Sequence, residues 1–449
     1  MNVNEVVKFV DKIVFDKTGK HLDDIQIAVV QGTWERQTYD DIAQECNVTK
    51  NHVGDVGAEL WQLLSKAFDE DIKKNNFRST FERLQITSSQ FINIQSSHNF
   101  KFCSYPTQNN NNSQENHIHH KLSYHDLTLA SKIINFYNRE TELKTLSNWI
   151  LNQKTPLISV LGLSGIGKTT LVKRFVDLNL QQFEVIIWRS LKFPKSLNLL
   201  IDDLLNVCKQ ETKEVIDDKL KQLFDIFKDK KCLIILDNLE NIFIHRQYAG
   251  QYKPEHQDYQ TFLQMITGIE HQSSIILISQ EKCQEMISLD SELYPSHCLE
   301  LSGLGDAATE ILKNQRLQDE EVWLNLIKLY EGHPRYLQYI SILIKEVFQG
   351  EVAEFLKENN LILTEDIKSM FYLTWMRLSE VEKQMLLEVS QTKQPLSRDE
   401  IKKLLSPSST DVINGIQSLN RRFLLTKSET NEKLFNLSPV LKAYLKIIS

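Results

Sequence analysis

The sequence predicts a multidomain α/β chain in which a parallel, doubly wound sheet lies between helical segments. Five apolar runs alternate with amphipathic helical patterns between about 133 and 304: PLISVLG, EVIIWRS, CLIILD, SIILIS and HCLELSGL. Strands that are buried on both faces of a parallel sheet form such continuous apolar runs. The segments on either side of this region carry apolar residues at helical spacing instead.

The composition is that of a globular chain. With 449 residues, of which 41% are hydrophobic, there is room for about two to four domains. The formal net charge of -7 argues against binding nucleic acid or an anionic membrane through bulk electrostatics. Charged residues interrupt the apolar stretches, so neither a signal peptide nor a membrane span is expected. The six cysteines are scattered, which favours free thiols, and we expect a cytoplasmic protein.

Residues 1–84 are predicted to form a small all-α domain that contains a helix-turn-helix. No proline interrupts the segment, and its apolar residues recur at helical intervals. Ile42 and Ala43 fit the first helix of the motif, Asn47 fits a polar turn, and Val53 fits the core side of the second helix.

The charges of this predicted domain favour a protein partner over DNA. It carries 11 Lys and Arg against 15 Asp and Glu, a net charge of -4. On the second helix, Asp55 and Glu59 would repel phosphates, whereas Lys50, Asn51 and His52 suit contact with DNA. We therefore expect an adaptor that binds protein, with DNA binding as the alternative.

The rest of the chain shows three further changes of pattern. The segment 85–127 is polar, which predicts a flexible linker. Residues 128–304 form the predicted sheet domain, and 305–362 form a predicted helical domain. Within 363–449, helical patterns precede two short β-like runs joined by a polar turn, in RRFLLTKSETNEKLFNLSPV. This order predicts a winged-helix domain.

A glycine-rich loop follows the first predicted strand and opens a helix. It matches the pattern GxxxxGK[ST], in which backbone N–H groups surround phosphates. Lys168 is expected to reach the β- and γ-phosphates, and the Thr169 hydroxyl is expected to bind magnesium. The predicted phosphate-binding residues are Gly162, Ser164, Gly165, Ile166, Gly167, Lys168, Thr169 and Thr170. Residues 128–304 are therefore predicted to be a P-loop NTPase domain that binds ATP or ADP with Mg²⁺.

A second magnesium ligand is predicted at Asp237. The apolar run 233–236 ends in this acid. P-loop NTPases place a magnesium-holding acid at the end of such a buried strand. We therefore expect Asp237 to act with Lys168 in catalysis and with Thr169 in holding the metal; the alternative is that Asp237 caps the following turn.

With these two motifs in place, the chain from about 133 to 449 resembles the NB-ARC type of STAND signalling ATPases. FYNRETEL, which contains Arg139, is similar to the family's FxGRxxEL segment beside the adenine. IIWRS and LSGL are similar to its second strand and to the segment that leaves the sheet. The tripeptide 332–334 is similar to its GxP element. The resemblance implies that Arg139 and Pro334 contact the nucleotide.

The first domain resembles the N-terminal helix-turn-helix modules of bacterial proteins associated with von Willebrand A and MoxR proteins. The similar residues lie in TYDDIAQECNVTKNHVGDVGAELWQLLS and in KNNFR. Such modules are fused to ATPases of this kind in bacteria.

The sequence departs from the NB-ARC pattern at three positions near the phosphates. Asn238 follows Asp237 where many members have a second acid, so Glu240 is the candidate to polarise the attacking water. Gln280 stands where an arginine senses the γ-phosphate. Ser438 stands in the region where many relatives hold the β-phosphate of ADP with histidine, and its hydroxyl is the candidate donor.

The resemblance implies an ATP/ADP-dependent molecular switch for signal transduction that binds ADP at rest, and the departures predict slow hydrolysis. The alternatives are a nucleotide-regulated DNA-binding transcription regulator and a nonhydrolysing scaffold. The expected partners are nucleotide, a protein that contacts the N-terminal domain and, in one nucleotide state, further copies of the chain. No membrane partner is expected.

Overall fold

In the computed structural model the chain divides into two compact units, 1–115 and 116–449. The structure describes residues 6, 7, 10, 11, 14, 22–35, 37–46, 48–68, 72–74 and 77 of the first unit. In the second unit it describes 124–449 apart from 209, 211, 288–294, 359, 406–407 and 428–433. The predicted turn residue Asn47 and residues 85–123 of the predicted linker therefore lie outside the described residues.

Helices of the first unit pack around an apolar core. They include α1 (Asp24–Trp34), α2 (Tyr39–Cys46) and α3 (Lys50–Phe68). Asp23 begins α1 in a capping box with Gln26. Gly32 lets α2 approach α1, since a Cβ there would lie 2.5 Å from the Ile42 Cγ1 atom. Ile42 and Val53 are both in the core, as the predicted helix-turn-helix requires.

Within the described residues of the second unit, six parallel strands form one sheet in the order β1-β3-β4-β5-β2-β6. The strands are β1 (Tyr124–Asp126), β2 (Leu157–Leu161), β3 (Val185–Ser190), β4 (Cys232–Asp237), β5 (Ser274–Ser279) and β6 (Ser296–Glu300). The predicted parallel sheet is confirmed, and the five apolar runs are β2 to β6.

The edge strand β1 was not predicted. It lies inside the segment predicted to be a linker, so the sheet begins earlier along the chain than expected. β1 pairs in parallel with β3 at residues Tyr124, His125 and Asp126. Three partly polar residues at the edge of a sheet produce no apolar run that sequence patterning would detect.

Helices cover both faces of the sheet, which confirms the doubly wound arrangement. They are α4 (Glu140–Ser147), α5 (Lys168–Leu178), α6 (Leu197–Val207), α7 (Ile216–Asp229) and α8 (Asp258–Gly268). One apolar core contains residues of α6, α7 and α8, and the other contains residues of α4 and α5. The strand β2 contributes Leu157 and Leu161 to the first core and Ile158 and Val160 to the second.

The chain after the sheet is mainly helical and ends in a winged helix. Its helices include α9 (Thr309–Asn314), α10 (Trp323–Leu329), α11 (Pro334–Val347), α12 (Val352–Leu356), α13 (Glu365–Trp375), α14 (Glu380–Ser390), α15 (Arg398–Leu404), α16 (Ser409–Arg421) and α17 (Pro439–Ile448). Strands β7 (Leu396–Ser397), β8 (Thr426–Lys427) and β9 (Leu434–Asn436) form an antiparallel sheet in the order β7-β9-β8. One apolar core extends from Ala308 to Leu445, so the predicted helical and winged-helix segments share it.

The register of the large sheet brings the predicted site together. Leu161 lies opposite Ser279 on one side and Glu300 on the other, and Asp237 lies opposite Ile278. Because all six strands are parallel, their carboxyl ends share one edge of the sheet. Ligands of open α/β sheets bind at this edge.

Candidate functional site

The loop between β2 and α5 has three glycines in the left-handed region of the backbone. Gly162, Gly165 and Gly167 have φ angles of 140°, 76° and 107°, in the region that favours glycine. A Cβ at Gly165 would also lie 2.7 Å from the Cβ of Arg335, so the start of α11 packs directly on this loop. The loop leads into α5, whose first N–H groups are available to an anion.

Lys168 is a buried cation that is held by carbonyl groups. Its side-chain Nζ donates to the carbonyl oxygens of Gly162 at 2.9 Å and Leu163 at 2.8 Å. Burial lowers the pKa of Lys168 to about 8, although the charges of Glu240 and Asp237 oppose this. Among the described residues, no ion pair joins Lys168 to a carboxylate. A buried ammonium group in this state suits an anionic ligand.

Thr169 and Asp237 lie side by side at the ends of α5 and β4. The Thr169 Oγ1 atom is 3.3 Å and 3.2 Å from the two carboxyl oxygens of Asp237. Asp237 is buried, and burial together with the charge of Glu240 raises its pKa to about 7. Hydrogen bonds from the Thr169 hydroxyl and the Asn238 N–H oppose that rise.

This pair fits a magnesium ion that is also bound by phosphate. A cation beside Asp237 would stabilise its ionised form, which burial disfavours. In the part of the chain that the structure describes, no group of three or more His, Cys, Asp and Glu side chains could hold a metal by itself. Mg²⁺ is commonly held by one or two carboxylates together with substrate phosphates. Thr169 and Asp237 therefore match a site that needs the nucleotide.

Glu240 is buried in the 3-10 turn Leu239–Ile242, and its carboxylate is held by Gln280. The Gln280 side-chain Nε2 donates to one carboxyl oxygen at 2.9 Å, and the Gln280 backbone N–H donates to the other at 3.2 Å. Gln280 directly follows β5. Each oxygen of the Glu240 carboxylate therefore already accepts one N–H group of Gln280. The sequence indicated Glu240 but not this partner.

Arg139 links three segments around the loop. Its guanidinium donates to Glu142 at 2.6 Å, to the carbonyl of Ser302 at 2.6 Å and to the carbonyl of Ile166 at 3.3 Å. The preceding Asn138 has a φ of 51°. Asparagine tolerates the left-handed region better than most residues. This explains how Asn138 can stand where the FxGRxxEL segment has its glycine.

A cavity of about 1270 Å³ lies where the sheet, the helical segment and the winged helix meet. Its lining includes Leu163, Ile166, Gly303, Glu331, His333 and Ser438. The lining residues, all in the described part of the chain, do not include Lys168, Thr169 or Asp237. The cavity thus borders the loop from the side of Leu163 and Ile166, and it exceeds the volume of most small-molecule sites.

The two candidate residues from the later segments begin helices at this cavity. Pro334 is the first residue of α11, and His333 caps that helix by accepting the Tyr336 N–H. Ser438 caps α17 by accepting the Leu441 N–H at 3.1 Å. A hydrogen bond from the Ser438 side chain also opposes the rise that desolvation causes in the pKa of Glu331. The other predicted loop residue, Thr170, lies half-buried in the first turn of α5.

Next to Gln280, the buried Glu281, Glu382 and Arg422 and the partly buried Arg377 connect the sheet to the later segments. We call these four residues the ionic junction. Arg422 donates to Glu281 at 2.8 Å and to Glu382 at 3.1 Å, and Arg377 donates to Glu281 at 2.9 Å. Arg377 also donates to the Glu240 carbonyl at 2.7 Å. No sequence motif indicated these residues.

In the first unit, the exposed surface of α3 is mixed in charge. Lys50, Asn51 and His52 are exposed at its start, and Asp55 and Glu59 are exposed farther along the helix. Lys50 forms an ion pair with Asp40 on α2, at 2.6 Å. The residues suited to phosphate contact therefore stand among acidic groups.

Two family profiles match separate parts of the chain. The NB-ARC domain matches residues 139–248, and the N-terminal helix-turn-helix of vWA-MoxR associated proteins matches residues 1–84. The chain therefore carries an NB-ARC domain. Its first 84 residues are a helix-turn-helix domain of the vWA-MoxR associated type. Both resemblances noted in the sequence are confirmed.

The chain is similar to much longer curated proteins. It is 28% identical over 351 residues to an uncharacterized WD repeat-containing protein of Nostoc sp. (strain PCC 7120), covering 74% of this chain and 28% of that protein. It is 22% identical over 318 residues to a disease resistance protein of Arabidopsis thaliana, TAO1, covering 66% and 25%. The chain thus spans only about a quarter of the length of these relatives.

Two solved structures that match the chain both have TM-scores below 0.5. A Walker-type ATPase of Pyrococcus abyssi has a TM-score of 0.49 at 15% identity, over 69% of this chain and 96% of that one. A STAND protein of Pyrococcus horikoshii with a tetratricopeptide repeat sensor has a TM-score of 0.33 at 16% identity, over 74% and 44%. In the described part of this chain, no helix is long and apolar enough to cross a membrane.

Proposed function

We propose that the chain is a signalling switch whose state is set by ADP or ATP bound at the P-loop of its NB-ARC domain. The observation that supports this most strongly is the cluster of Lys168, Thr169 and Asp237 at one edge of the sheet. It combines a buried cation without a paired carboxylate and a buried carboxylate with a raised pKa. A magnesium-bound nucleotide supplies the missing partners of both.

In this proposal the loop residues 162–170 bind the phosphates. Backbone N–H groups of the glycine-rich loop surround the phosphates, and Lys168 contacts the β- and γ-phosphates. Bound Mg²⁺ would neutralise phosphate charge while Thr169 and Asp237 hold it. The base would lie toward Arg139 and Pro334, and Ser438 would approach the β-phosphate of ADP from the winged helix.

ADP is proposed to be the resting ligand because the sheet, the helical segment and the winged helix surround one cavity in this structure. His333 and Ser438 both line it, so a nucleotide there would bind the helical segment and the winged helix at the same time. A ligand shifts a conformational equilibrium only through a difference in affinity between states. Exchange of ADP for ATP is proposed to supply that difference.

Slow hydrolysis is proposed from the surroundings of Glu240. Both oxygens of its carboxylate accept N–H groups of Gln280. These bonds compete with an attacking water for the Glu240 carboxylate, and Gln280 brings no positive charge to the γ-phosphate. Occupancy by nucleotide, rather than rapid turnover, would then be the signal.

The N-terminal domain is proposed to carry the signal to a protein partner. Its net charge of -4 and the acidic residues on α3 favour protein over DNA. Assembly of several copies in the ATP state is a further part of the proposal.

Titration of the nucleotide-free full chain with ADP and Mg²⁺ by calorimetry tests the nucleotide site. We expect one ADP per chain for the wild type and none for Lys168→Ala. Lys219→Ala is a matched control, because Lys219 is another buried lysine, which lies on α7 and pairs with Asp202 of α6 at 2.7 Å. Lys219→Ala should reduce thermal stability but keep ADP binding. A wild type that takes up no nucleotide contradicts the proposal.

Steady-state phosphate release tests slow turnover. We expect a turnover rate well below about 1 per second, which is the lower end of typical kcat values. The variant Gln280→Arg restores a guanidinium near the γ-phosphate and should raise the rate while Lys168→Ala abolishes it. Fast release by the wild type that depends on Lys168 would contradict the proposed mode of signalling.

The DNA-binding alternative is tested by the salt dependence of binding. A transcription regulator would bind duplex DNA with a steep fall in affinity as salt rises. We expect only weak, sequence-independent binding, unchanged by Lys50→Ala. Tight binding that Lys50→Ala weakens would favour the transcription regulator over the adaptor.

A further inference from the structure

His333 makes two hydrogen bonds that link the start of α11 to the phosphate loop. Its Nδ1 atom accepts the backbone N–H of Tyr336 at 3.3 Å, which caps α11. Its Nε2 atom lies 3.0 Å from the carbonyl oxygen of Ser164, 169 residues away along the chain. Because Nδ1 is the acceptor, the proton of the neutral ring lies on Nε2 and is donated to Ser164.

The ring has little freedom to make other contacts. His333 is 2% exposed, and its ring stacks on that of Tyr336 with centroids 3.7 Å apart. Burial, with the positive charges of Lys168 and Arg335, lowers the pKa of His333 to about 3. The neutral, Nε2-protonated ring is therefore kept throughout the physiological range of pH.

The bond to Ser164 fixes one peptide group of the loop. The peptide unit that joins Ser164 to Gly165 is planar and trans, so its C=O and N–H point in opposite directions. When His333 holds the carbonyl toward α11, the Gly165 N–H must point away from α11. Arg335 packs against Gly165 at the same position. Two residues of the α11 region, His333 and Arg335, therefore contact this peptide from the same side.

We infer that His333 is a positioning residue, which orients the Ser164–Gly165 peptide so that its N–H faces the bound phosphates and thereby couples nucleotide affinity to the docking of α11. The inference rests on the proposed function, because it concerns the same phosphate site. Coupling between binding and docking is reciprocal: if docked α11 improves phosphate binding, bound phosphate also favours docked α11.

Two substitutions separate the two hydrogen bonds of His333. In His333→Asn the side-chain oxygen replaces Nδ1 and keeps the cap, but the side chain is too short to reach Ser164. In His333→Gln the amide nitrogen replaces Nε2 and keeps the bond to Ser164, but the cap is weakened. His271 offers a matched control: its Nδ1 accepts the Ser273 N–H at 3.2 Å, and its Nε2 lies 3.0 Å from the Ile266 carbonyl, away from the loop.

The experiment measures ADP affinity and thermal stability of the full chain for these three variants. We expect His333→Asn to melt earlier, because it loses a buried ring and the bond to Ser164, and to weaken ADP binding about tenfold, the effect of one buried hydrogen bond. We expect His333→Gln to melt earlier and to bind ADP nearly as the wild type does. His271→Asn should melt earlier with unchanged ADP affinity.

Hydrogen exchange of the nucleotide-free protein gives a second measurement that does not need the ligand. We expect amides of the loop 162–168 to exchange faster in His333→Asn but not in His271→Asn. Wild-type ADP affinity and loop protection in His333→Asn would overturn the inference and leave the proposed nucleotide site intact. Absence of ADP binding by the wild type would instead overturn the proposed function, and this inference with it.

Discussion

Two buried clusters of charge lie at the same edge of the sheet, and they differ in whether their charges are paired. In the ionic junction, Arg422 contacts both Glu281 and Glu382 within 3.1 Å. The second cluster consists of Lys168, Thr169 and Asp237, and we call it the cradle. Within the described residues, the side chain of Lys168 donates to two carbonyl groups and forms no ion pair, and burial raises the pKa of Asp237. The difference indicates that the paired charges of the junction hold two segments together, whereas the unpaired charges of the cradle suit a charged ligand.

The two clusters are neighbours in the chain and in space. Gln280, which holds Glu240 beside the cradle, is followed directly by Glu281 of the junction. Arg377 contacts both sides, through the Glu240 carbonyl and the Glu281 carboxylate. The two clusters are therefore connected by the chain at Gln280 and Glu281 and by the side chain of Arg377.

The largest effect is expected from removing the central cation of the junction. Arg422→Ala would leave Glu281 and Glu382 buried without this partner, which typically costs about 3–5 kcal/mol. Chemical denaturation measures the loss in free energy of unfolding. Arg398→Ala is the control, since Arg398 pairs with Asp399 at the surface and should matter by less than about 1 kcal/mol. If the two substitutions lower the free energy of unfolding equally, the buried ion pairs of the junction are no more important than a pair at the surface.

Magnesium removal should affect only the cradle. For the wild type we expect a chelator to weaken ADP binding about tenfold, or about 1.4 kcal/mol. Asp237→Asn should bind ADP with an affinity that no longer depends on Mg²⁺, because the ion loses its carboxylate. Titrations with and without chelator measure this. An unchanged dependence on Mg²⁺ in Asp237→Asn would show that the metal site is elsewhere.

The cradle should also respond to acid through His333. In the folded state the pKa of His333 is lowered to about 3, below the ordinary value of 6.5. Between these two pH values the unfolded state binds a proton at His333 and the folded state does not. Stability is therefore complete above pH 6.5 and falls as the pH drops toward 3, by up to about 1.4 kcal/mol per pH unit for this group. His333→Asn should lose that part of the slope in unfolding experiments between pH 6.5 and 4.5. A slope identical to that of the wild type would contradict the prediction.

The smallest effect is expected at Ser438. Ser438→Ala removes the cap of α17 and should destabilise the protein by about 1 kcal/mol. Ser408→Ala removes the corresponding cap of α16 and should have a similar effect. We expect only Ser438→Ala to weaken ADP binding as well, by a few-fold. If the two variants bind ADP equally, Ser438 is a cap and not a phosphate contact.

The sequence singled out residues that the structure brings together at the P-loop, whose roles stay predictions, and it indicated nothing of the junction. Lys168, Thr169 and Asp237 stand in motifs whose spacing along the chain identifies them, and the apolar runs located β2 to β6. The bond between Arg422 and Glu281 joins residues 141 positions apart, and no local pattern distinguishes either from an exposed charge. The same holds for the contact of His333 with Ser164: the tripeptide around His333 was noticed, but its partner emerges only from the packing of α11 on the loop.

The central claim is that the open cluster of charges is a nucleotide site that governs the protein's state. Its most direct test is the nucleotide content of the purified full chain, wild type beside Lys168→Ala, released by denaturation and separated by chromatography. The account predicts close to one ADP per wild-type chain and none in the variant. No nucleotide in either protein, with no uptake when ATP or ADP is added, would contradict it and favour a scaffold.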